Sequence, residues 1–320
     1  MPEGEFEFIA NQLRPLAADA PAALGLADDA ALLEPPPGMQ LAMTKDMLVE
    51  GVHFLPHDPA AQIAQKLLRV NLSDLAAMGA DPLGYLLALA RPKRLPPEWL
   101  ARFCSGLADD QQEFGLHLLG GDTVSTPGPL TLSITALGAI PRGQALRRDT
   151  ARLGDDLYVS GTLGDAALGL QVLQGRLSPS MAASAILVER YQQPQPRLAL
   201  GRALRGIAHA AIDISDGLIA DLGHILEASR LGAELWADAV PLSGAAARQR
   251  GAREAALTGG DDYELLFAVH PEQGPVVDAI GQQLGLPMTR IGHLHPEPGL
   301  HVLDRDGRPV TVERTGWQHF

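Results

Sequence analysis

Hydrophobic positions recur along this chain with two periods, one typical of helices and the other of strands. In residues 59–79 apolar side chains recur every three or four positions, whereas Leu130, Leu132 and Ile134 alternate with other residues. The same comparison along the whole chain predicts helices at about 4–17, 59–79, 97–114, 164–174, 180–191, 196–205 and 217–231. It predicts strands at about 41–49, 84–90, 130–140, 157–160, 210–214 and 264–269. Helices and strands are therefore mixed throughout the chain.

A boundary between two domains is predicted near residue 150. Residues 141–156 are rich in Arg, Gly and Asp. A chain of 320 residues is also about twice as long as a usual domain. We therefore expect an α/β (α+β) protein with an N-terminal domain at 1–150 and a C-terminal domain at 151–320.

Charge and cysteine content argue against several classes of protein. The 25 Lys and Arg against 38 Asp and Glu give a net charge of −13, which argues against binding to nucleic acid or an anionic membrane. The single cysteine, Cys104, excludes an intramolecular disulfide and a cysteine-based metal site, and it fits a reducing compartment. The N-terminus is acidic where a signal peptide would be basic, and no apolar run approaches about 20 residues. We expect a cytoplasmic protein.

Two aspartates occupy positions that the pattern would otherwise give to apolar side chains. Asp74 lies in the middle of the apolar stripe of the helix at 59–79. Asp213 interrupts a run that is otherwise apolar enough for a buried parallel strand. A buried carboxylate needs a ligand or a hydrogen-bond partner, because an unpaired buried charge is costly. These positions therefore favour a functional role.

The strand at 41–49 carries a third candidate. Its period of two places Thr44 and Asp46 on one face and Lys45 on the other. A hydroxyl and short carboxylates suit Mg²⁺, which prefers oxygen ligands in a near-octahedral array. For any one of the chain's aspartates beside Gly or Ser, the alternative is a turn or a helix cap.

Familiar nucleotide-binding motifs are absent from the sequence. None of the 34 glycines forms Gly-x-Gly, and no lysine completes a P-loop. A bound nucleotide would need another phosphate site, and two are candidates: a turn at 120–123 and the helix start at 215–217, where free amides and the helix dipole favour an anion. Arg147, Arg148 and Arg152 form the densest basic spot and could pair with phosphate, a solvated linker being the alternative.

Eight segments, in order and spacing, resemble the thiamine-monophosphate kinases. They are GEF at 4–6, ADDAA at 27–31, TKDMLVEGVHF at 44–54, VNLSDLAAMGA at 70–80, GGDT at 120–123, IDISDGL at 212–218, GGDDYEL at 259–265 and GWQHF at 316–320. Single motifs are shared with the wider superfamily that includes aminoimidazole ribonucleotide synthetase. The motif containing His53 and the aromatic C-terminus are specific to the kinases, and the resemblance covers nearly the whole chain.

The resemblance implies a two-domain aminoimidazole ribonucleotide synthetase-like fold and a homodimer in which the N-terminal sheets pair into a barrel. It implies ATP-dependent conversion of thiamine monophosphate to thiamine diphosphate, by direct transfer of the γ-phosphoryl group to the substrate phosphate. Several Mg²⁺ ions would lie in each active site. Nucleic acid and membranes are not expected partners.

By matching position, the resemblance assigns site residues to three groups. The metal group is Asp29, Thr44, Lys45, Asp46, Asp74, Asp122, Asp213 and Asp216. The ATP group is Gly121, Asp122, Arg148 and Ser215. The group that would meet the thiamine phosphate is His53, Asp261 and Trp317.

Three positions depart from the family pattern. Ala27 stands where the family usually has Gly, and Asp261 replaces the commoner Glu. Lys45 occupies a position often held by Ser or Thr. Because strand parity points its side chain away from Asp46, only the backbone carbonyl of Lys45 could replace a lost ligand.

Both reactants of the implied reaction are anions, the acceptor phosphate carrying roughly −1.5 to −2 charges near neutral pH. Mg²⁺ held by aspartates would neutralise the phosphates and fix their in-line geometry. No catalytic base is expected, because the acceptor oxygen is already ionised. Two alternatives stay open: another ATP-dependent synthetase of the same superfamily, and a non-catalytic Mg²⁺–nucleotide-binding sensor.

Overall fold

The computed structural model describes residues 5–312 and 316–317. The chain folds into two compact units, one of Met1–Leu75 and Ala80–Gly143, the other of Ala76–Gly79 and Gln144–Phe320. Among the residues that carry the family resemblance, Gly4 and residues 318–320 lie outside the described part. Across the described residues, no helix is long and apolar enough to cross a membrane.

The first unit contains a four-stranded sheet and two long helices. Its elements are α1 (Glu5–Phe8), β1 (Met39–Val49), α2 (Ala60–Ala77), β2 (Asp81–Pro92), α3 (Pro97–Phe114), β3 (His117–Thr126) and β4 (Thr131–Pro141). The last two residues of α2 belong to the second unit. The strand order is β1-β4-β2-β3, with β2 and β3 parallel and the other neighbours antiparallel.

Helices α2 and α3 supply much of the apolar core of this unit. Leu67 and Leu72 of α2 and Leu100 and Leu107 of α3 are fully buried. Helix α3 has its predicted bounds. Its first residue is Pro97, which needs no hydrogen-bonded N–H at that position, and it is capped by Gly115, whose left-handed backbone has φ 69°. The predicted helices and strands of this unit are confirmed to within three residues, apart from the N-terminal helix.

The predicted N-terminal helix is not one regular α-helix. After α1 the chain continues as a π-helical turn, Ile9–Leu13, and a 3₁₀ turn, Arg14–Ala17. Pro15 lacks a backbone N–H, and its ring crowds the carbonyl four residues earlier. The α-helical hydrogen-bond pattern therefore cannot continue through it.

The second unit contains a six-stranded sheet with helices. Its elements are β5 (Asp156–Ser160), α4 (Asp165–Leu173), α5 (Met181–Gln192), α6 (Leu198–Ala203), β6 (Ala208–Asp213), α7 (Leu218–Ser229), β7 (Gly232–Trp236), α8 (Ala252–Thr258), β8 (Leu265–Val269), α9 (Gly274–Leu284), β9 (Met288–His295) and β10 (Gly299–Leu303). The strand order is β10-β7-β9-β5-β8-β6, with β10 and β7 parallel and the other described neighbours antiparallel.

The predicted strand at 210–214 is present as β6, but the prediction that it is parallel is wrong. Strand β6 is antiparallel to β8, with Asp213 opposite Leu265, and it lies at one edge of the sheet. Five of its six residues are buried. A continuous apolar run indicates that both faces of a strand are buried. Because an antiparallel strand can also be buried on both faces, the run does not predict the direction of the strand.

Candidate functional site

The first unit brings Thr44 and Asp74 into direct contact across thirty residues of sequence. The Thr44 hydroxyl donates a hydrogen bond to the Asp74 carboxylate. Asp46 lies on the same face of β1 as Thr44, and both side chains are half-buried. The three side chains offer only oxygen atoms as possible ligands. This donor set fits a hard cation such as Mg²⁺.

The backbone of Asp46 is held from two sides. Its N–H donates to Asn71 Oδ1 of α2 at 3.0 Å, and its carbonyl accepts from Ser133 Oγ of β4 at 2.9 Å. Asn71 in turn donates to the Leu67 carbonyl at 2.9 Å. The position of Asp46 is therefore fixed relative to the helix that carries Asp74.

A second group of predicted residues lines a cavity of about 660 Å³ in the same unit. The predicted residues Asp29, Lys45, Gly121 and Asp122 contribute to its wall, together with Asp28 and apolar residues of β2 and β3. As strand parity predicts, Lys45 is on the opposite face of β1 from Thr44 and Asp46. Among the described residues, the lining of this cavity does not include the Thr44, Asp46 and Asp74 group. The predicted residues of this unit thus form two groups.

The prediction that residues 120–123 form a turn is wrong. They lie within β3, with Gly121 opposite Leu87 of β2, at the edge of the sheet. A Cβ on Gly121 would lie 1.9 Å from the Leu87 carbonyl oxygen. The glycine therefore permits two strands to approach closely, a requirement that its sequence context alone does not distinguish from a turn.

His53 is fixed in the turn that follows β1. Its Nδ1 accepts a hydrogen bond from the Val49 N–H at 3.0 Å. An accepting Nδ1 assigns the proton of the neutral ring to Nε2. The backbone carbonyl of His53 accepts from Lys66 Nζ at 3.1 Å, and Lys66 is only 2% exposed. The turn therefore holds a half-buried imidazole with Nε2–H as its donor.

In the second unit, Asp213 ends β6 and a short loop, residues 214–217, leads into α7. The prediction that this loop offers free amides to an anion is wrong. The N–H groups of Ser215, Asp216 and Gly217 all donate to Asp221 Oδ2, at 3.0, 3.1 and 3.1 Å. Asp221 lies in the first turn of α7 and is 2% exposed. The anion at this helix start is thus a side chain of the protein itself.

Asp221 and His224 are candidate residues that the sequence prediction missed. One ligand atom each from Asp216, Asp221 and His224 lie within 4.8 Å of one another. Burial, and secondarily the Asp216 carboxylate, raise the pKa of Asp221 to about 7. Asp221 interrupts the buried stripe of α7 that contains Leu218, Leu222 and Ile225, as Asp74 interrupts that of α2. A carboxylate within an apolar helical stripe therefore identifies Asp221 in the sequence, as it identifies Asp74.

Asp261 and Trp317 both attach to the 214–217 loop through their backbones. The Asp261 N–H donates to the Ser215 carbonyl at 2.9 Å, and the Trp317 N–H donates to the Asp216 carbonyl at 3.0 Å. Asp261 has a left-handed backbone, φ 69°, and its carboxylate accepts from the Tyr263 hydroxyl at 3.1 Å. The structure therefore brings Ser215, Asp216, Asp261 and Trp317 together.

Trp317 also lines a cavity of about 770 Å³ in the second unit. Its side chain is 55% exposed. Asp216, His224, Glu227 and His301 contribute polar groups to the wall, and the remaining lining is mainly apolar. A cavity with an aromatic and apolar wall and a few polar groups suits an organic ligand.

The predicted basic spot is ordered by its neighbours in the second unit. Arg147 forms a bidentate ion pair with Asp149, in which Nε donates to Oδ1 at 2.8 Å and Nη2 donates to Oδ2 at 2.5 Å. The Arg148 carbonyl accepts from Ser229 Oγ of α7 at 2.8 Å. Arg148 forms no ion pair with any residue that the structure describes. Arg152 also forms no ion pair with a described residue, and its backbone N–H donates to Asp155 Oδ2 at 2.8 Å. The guanidinium groups of Arg148 and Arg152 therefore carry charges that no described carboxylate pairs.

Known proteins similar to this chain cover its whole length. Residues 27–140 match the family AIR synthase related protein, N-terminal domain, and residues 152–305 match AIR synthase related protein, C-terminal domain. The thiamine-monophosphate kinase of Salmonella typhimurium (strain LT2) is 47% identical over 325 aligned residues, which cover 99% of this chain and 98% of the relative.

Two solved structures are similar over nearly the full chain. The thiamine-monophosphate kinase from Stenotrophomonas maltophilia K279a has a TM-score of 0.87 and 45% identity, covering 97% of this chain and 99% of that one. The structure of AaThiL complexed with AMPPCP and TMP has a TM-score of 0.79 and 32% identity, covering 99% of this chain and 97% of that one.

Proposed function

Since the chain belongs to the thiamine-monophosphate kinases, a family of AIR synthase related proteins, we propose that it transfers the γ-phosphoryl group of ATP directly to the phosphate of thiamine monophosphate. The products are thiamine diphosphate and ADP. The observation that carries this proposal is the contact between Thr44 and Asp74 beside Asp46, an all-oxygen group built from two distant segments. AaThiL, solved with AMPPCP and TMP, supports the choice of both substrates.

Aspartates of both units would hold Mg²⁺ in this reaction. In the first unit these are Asp29, Asp46, Asp74 and Asp122, with the Thr44 hydroxyl and the backbone carbonyl of Lys45; in the second unit they are Asp213 and Asp216. When bound, Mg²⁺ supplies positive charge that offsets the repulsion between two anionic substrates. Arg148 is the only cationic side chain assigned to the phosphates here, and the chain as a whole has a net charge of −13, so most of that positive charge would come from the metal.

The protein's own groups bind and orient the two substrates. The His53 Nε2–H would donate to the acceptor phosphate, and Asp261 and Trp317 would meet the thiamine part. Gly121, Asp122, Arg148 and Ser215 would contact ATP. No side chain is needed as a general base, because the acceptor oxygen is ionised near neutral pH. The rate enhancement would come from positioning and electrostatics.

Incubation of the purified protein with ATP, Mg²⁺ and thiamine monophosphate is expected to yield thiamine diphosphate and ADP in equal amounts. Chromatography with mass detection measures both products. Unphosphorylated thiamine is the control acceptor and should give no phosphorylated product. ADP release without thiamine diphosphate would contradict the proposed function, and capture of a phosphorylated protein during turnover would contradict direct transfer.

We also propose that the protein is a homodimer in which the sheet of the first unit pairs with its copy into a barrel. One face of β1 exposes large apolar side chains: Met43 is 70% exposed, Met47 52% and Leu41 38%. Leu86 of β2 is 40% exposed. Leu86 and Lys45 are both paired with Thr135 of β4, so Leu86 lies on the same face of the sheet as Lys45, Met43 and Met47. An apolar face of this kind on a monomer marks an interaction surface.

The double substitution Met43→Asp with Met47→Asp is expected to convert the dimer to a monomer, because two charges would be desolvated in each copy of the interface. Size-exclusion chromatography with light scattering measures the mass. Met181→Asp is the control, because Met181 is 91% exposed on a helix of the second unit. A wild-type protein of monomeric mass would refute the proposed assembly.

A further inference from the structure

Asp221 holds the 214–217 loop from inside the second unit, and we propose that it is a positioning residue for the acceptor-binding side chains Asp261 and Trp317. The inference rests on the proposed function, which assigns those two residues to the thiamine phosphate. Asp221 itself does not meet either substrate in this proposal. Its effect is transmitted through the backbone of the loop.

The amide groups of the loop converge on a single carboxylate oxygen. Three consecutive N–H groups, those of residues 215–217, donate to Asp221 Oδ2 at 3.0–3.1 Å. This convergence requires Gly217, whose backbone φ of 124° is rarely adopted by residues that carry a side chain. A Cβ on Gly217 would also lie 2.8 Å from the Thr258 backbone. The conformation of the loop is therefore specified by one glycine and one aspartate.

The carbonyl groups of the same loop bind the acceptor segments. The Ser215 carbonyl accepts from the Asp261 N–H at 2.9 Å, and the Asp216 carbonyl accepts from the Trp317 N–H at 3.0 Å. The preceding Ile214 carbonyl accepts from the Tyr263 N–H at 2.8 Å. The loop is thus bound through its amides to Asp221 and through its carbonyls to the two segments. Movement of its peptide groups must therefore move Asp261 and Trp317.

A carboxylate is required at position 221 because of the number of donors. In its ionised form, a carboxylate oxygen accepts several hydrogen bonds and binds each N–H more strongly than a neutral carbonyl does. An asparagine has one acceptor oxygen, and its amide nitrogen would oppose the backbone N–H groups if the side chain turned over. Asp221→Asn therefore keeps the side-chain volume but weakens the attachment of all three amides.

The test compares Asp221→Asn with Asp165→Asn. Asp165 is 1% exposed in the same unit and accepts hydrogen bonds from the Thr162 and Ser243 hydroxyls, so its substitution alters an equally buried aspartate away from the loop. With Mg²⁺, ATP and thiamine monophosphate, we expect Asp221→Asn to raise the acceptor KM roughly tenfold to hundredfold. Asp165→Asn should leave KM unchanged. If Asp221→Asn fails to fold, Asp221→Ser, whose hydroxyl still accepts a hydrogen bond, replaces it.

Hydrogen exchange followed by mass spectrometry gives a readout that does not depend on activity. In Asp221→Asn, amide exchange should increase in the loop and also at Asp261 and Trp317, and in Asp165→Asn it should not. Exchange that increases only within residues 215–217, or an unchanged acceptor KM in a folded Asp221 variant, would overturn the proposal. Absence of wild-type turnover would overturn the proposed function instead, and the exchange pattern would still decide whether Asp221 positions the two segments.

Discussion

Asp74→Asn is expected to lower kcat by about 10²–10³-fold, the range seen when one electrostatic contact at a reacting centre is removed. Asn has nearly the shape of Asp, and its carbonyl oxygen can still accept the hydrogen bond from Thr44. The substitution therefore removes a negative charge and a metal-binding oxygen while it keeps the local packing. Neighbouring Leu72 and Leu75 remain buried, so the fold should be retained.

Steady-state rates over a range of Mg²⁺ concentrations test this expectation. The Mg²⁺ concentration needed for half-maximal binding of ATP should also rise in the variant, which is measured without turnover. Asp109→Asn makes the same charge change on the exposed side of α3 in the same unit and should change kcat by less than about twofold. Wild-type rates for Asp74→Asn at limiting Mg²⁺ would rule out the proposed role of Asp74.

Glu264→Ala is expected to lower the free energy of unfolding of the second unit by about 3–5 kcal/mol. Glu264 is 0% exposed and accepts from Ser160 Oγ at 2.6 Å, Arg190 Nη2 at 2.5 Å and Arg197 Nε at 2.6 Å. Removing it leaves two largely buried guanidinium groups without their shared anion. The cost is chiefly that of these uncompensated charges, and only in part that of the lost hydrogen bonds.

Urea unfolding followed by circular dichroism measures this loss. Glu272→Ala is the control, because its side chain is 88% exposed and its ion pair with His270 spans 3.8 Å. A change within about 0.5 kcal/mol is expected for this control. A loss of stability for Glu264→Ala no larger than that of Glu272→Ala would show that the arginines find other partners, and the proposed contribution of Glu264 would be wrong.

Features that depend on local periodicity were predictable from the sequence. Helix α3 has its predicted bounds, and strand parity correctly separated Lys45 from Thr44 and Asp46. The position of Asp74 within an apolar stripe correctly indicated a carboxylate with a nearby partner, which is the Thr44 hydroxyl. In each case the angle between successive side chains, about 100° in a helix and 180° in a strand, determines which residues share a face.

Short strands near the C-terminus were not predictable in the same way. Strands β7 and β10 have five residues each and are only partly buried, so they contain no continuous apolar run. Strands β5 and β8 are equally short, but all their residues are buried, and their apolar runs predicted them. Strand β3 was missed because its adjacent glycines are typical of turns, whereas here they allow close contact with β2. These strands are stabilised by hydrogen bonds to neighbouring strands that are distant in sequence. A local pattern of residues does not show which distant segments pair.

The sequence by itself determined the mixture of helices and strands, the family of the chain and the set of candidate site residues, because local periodicity and motif spacing are properties of the order of residues. Only the tertiary structure decided which groups those residues bind. It showed that the amides of residues 215–217 are already bonded to Asp221, and that the carbonyls of Ser215 and Asp216 hold Asp261 and Trp317. A hydrogen bond depends on distance and direction between atoms, and the path of the folded chain sets both.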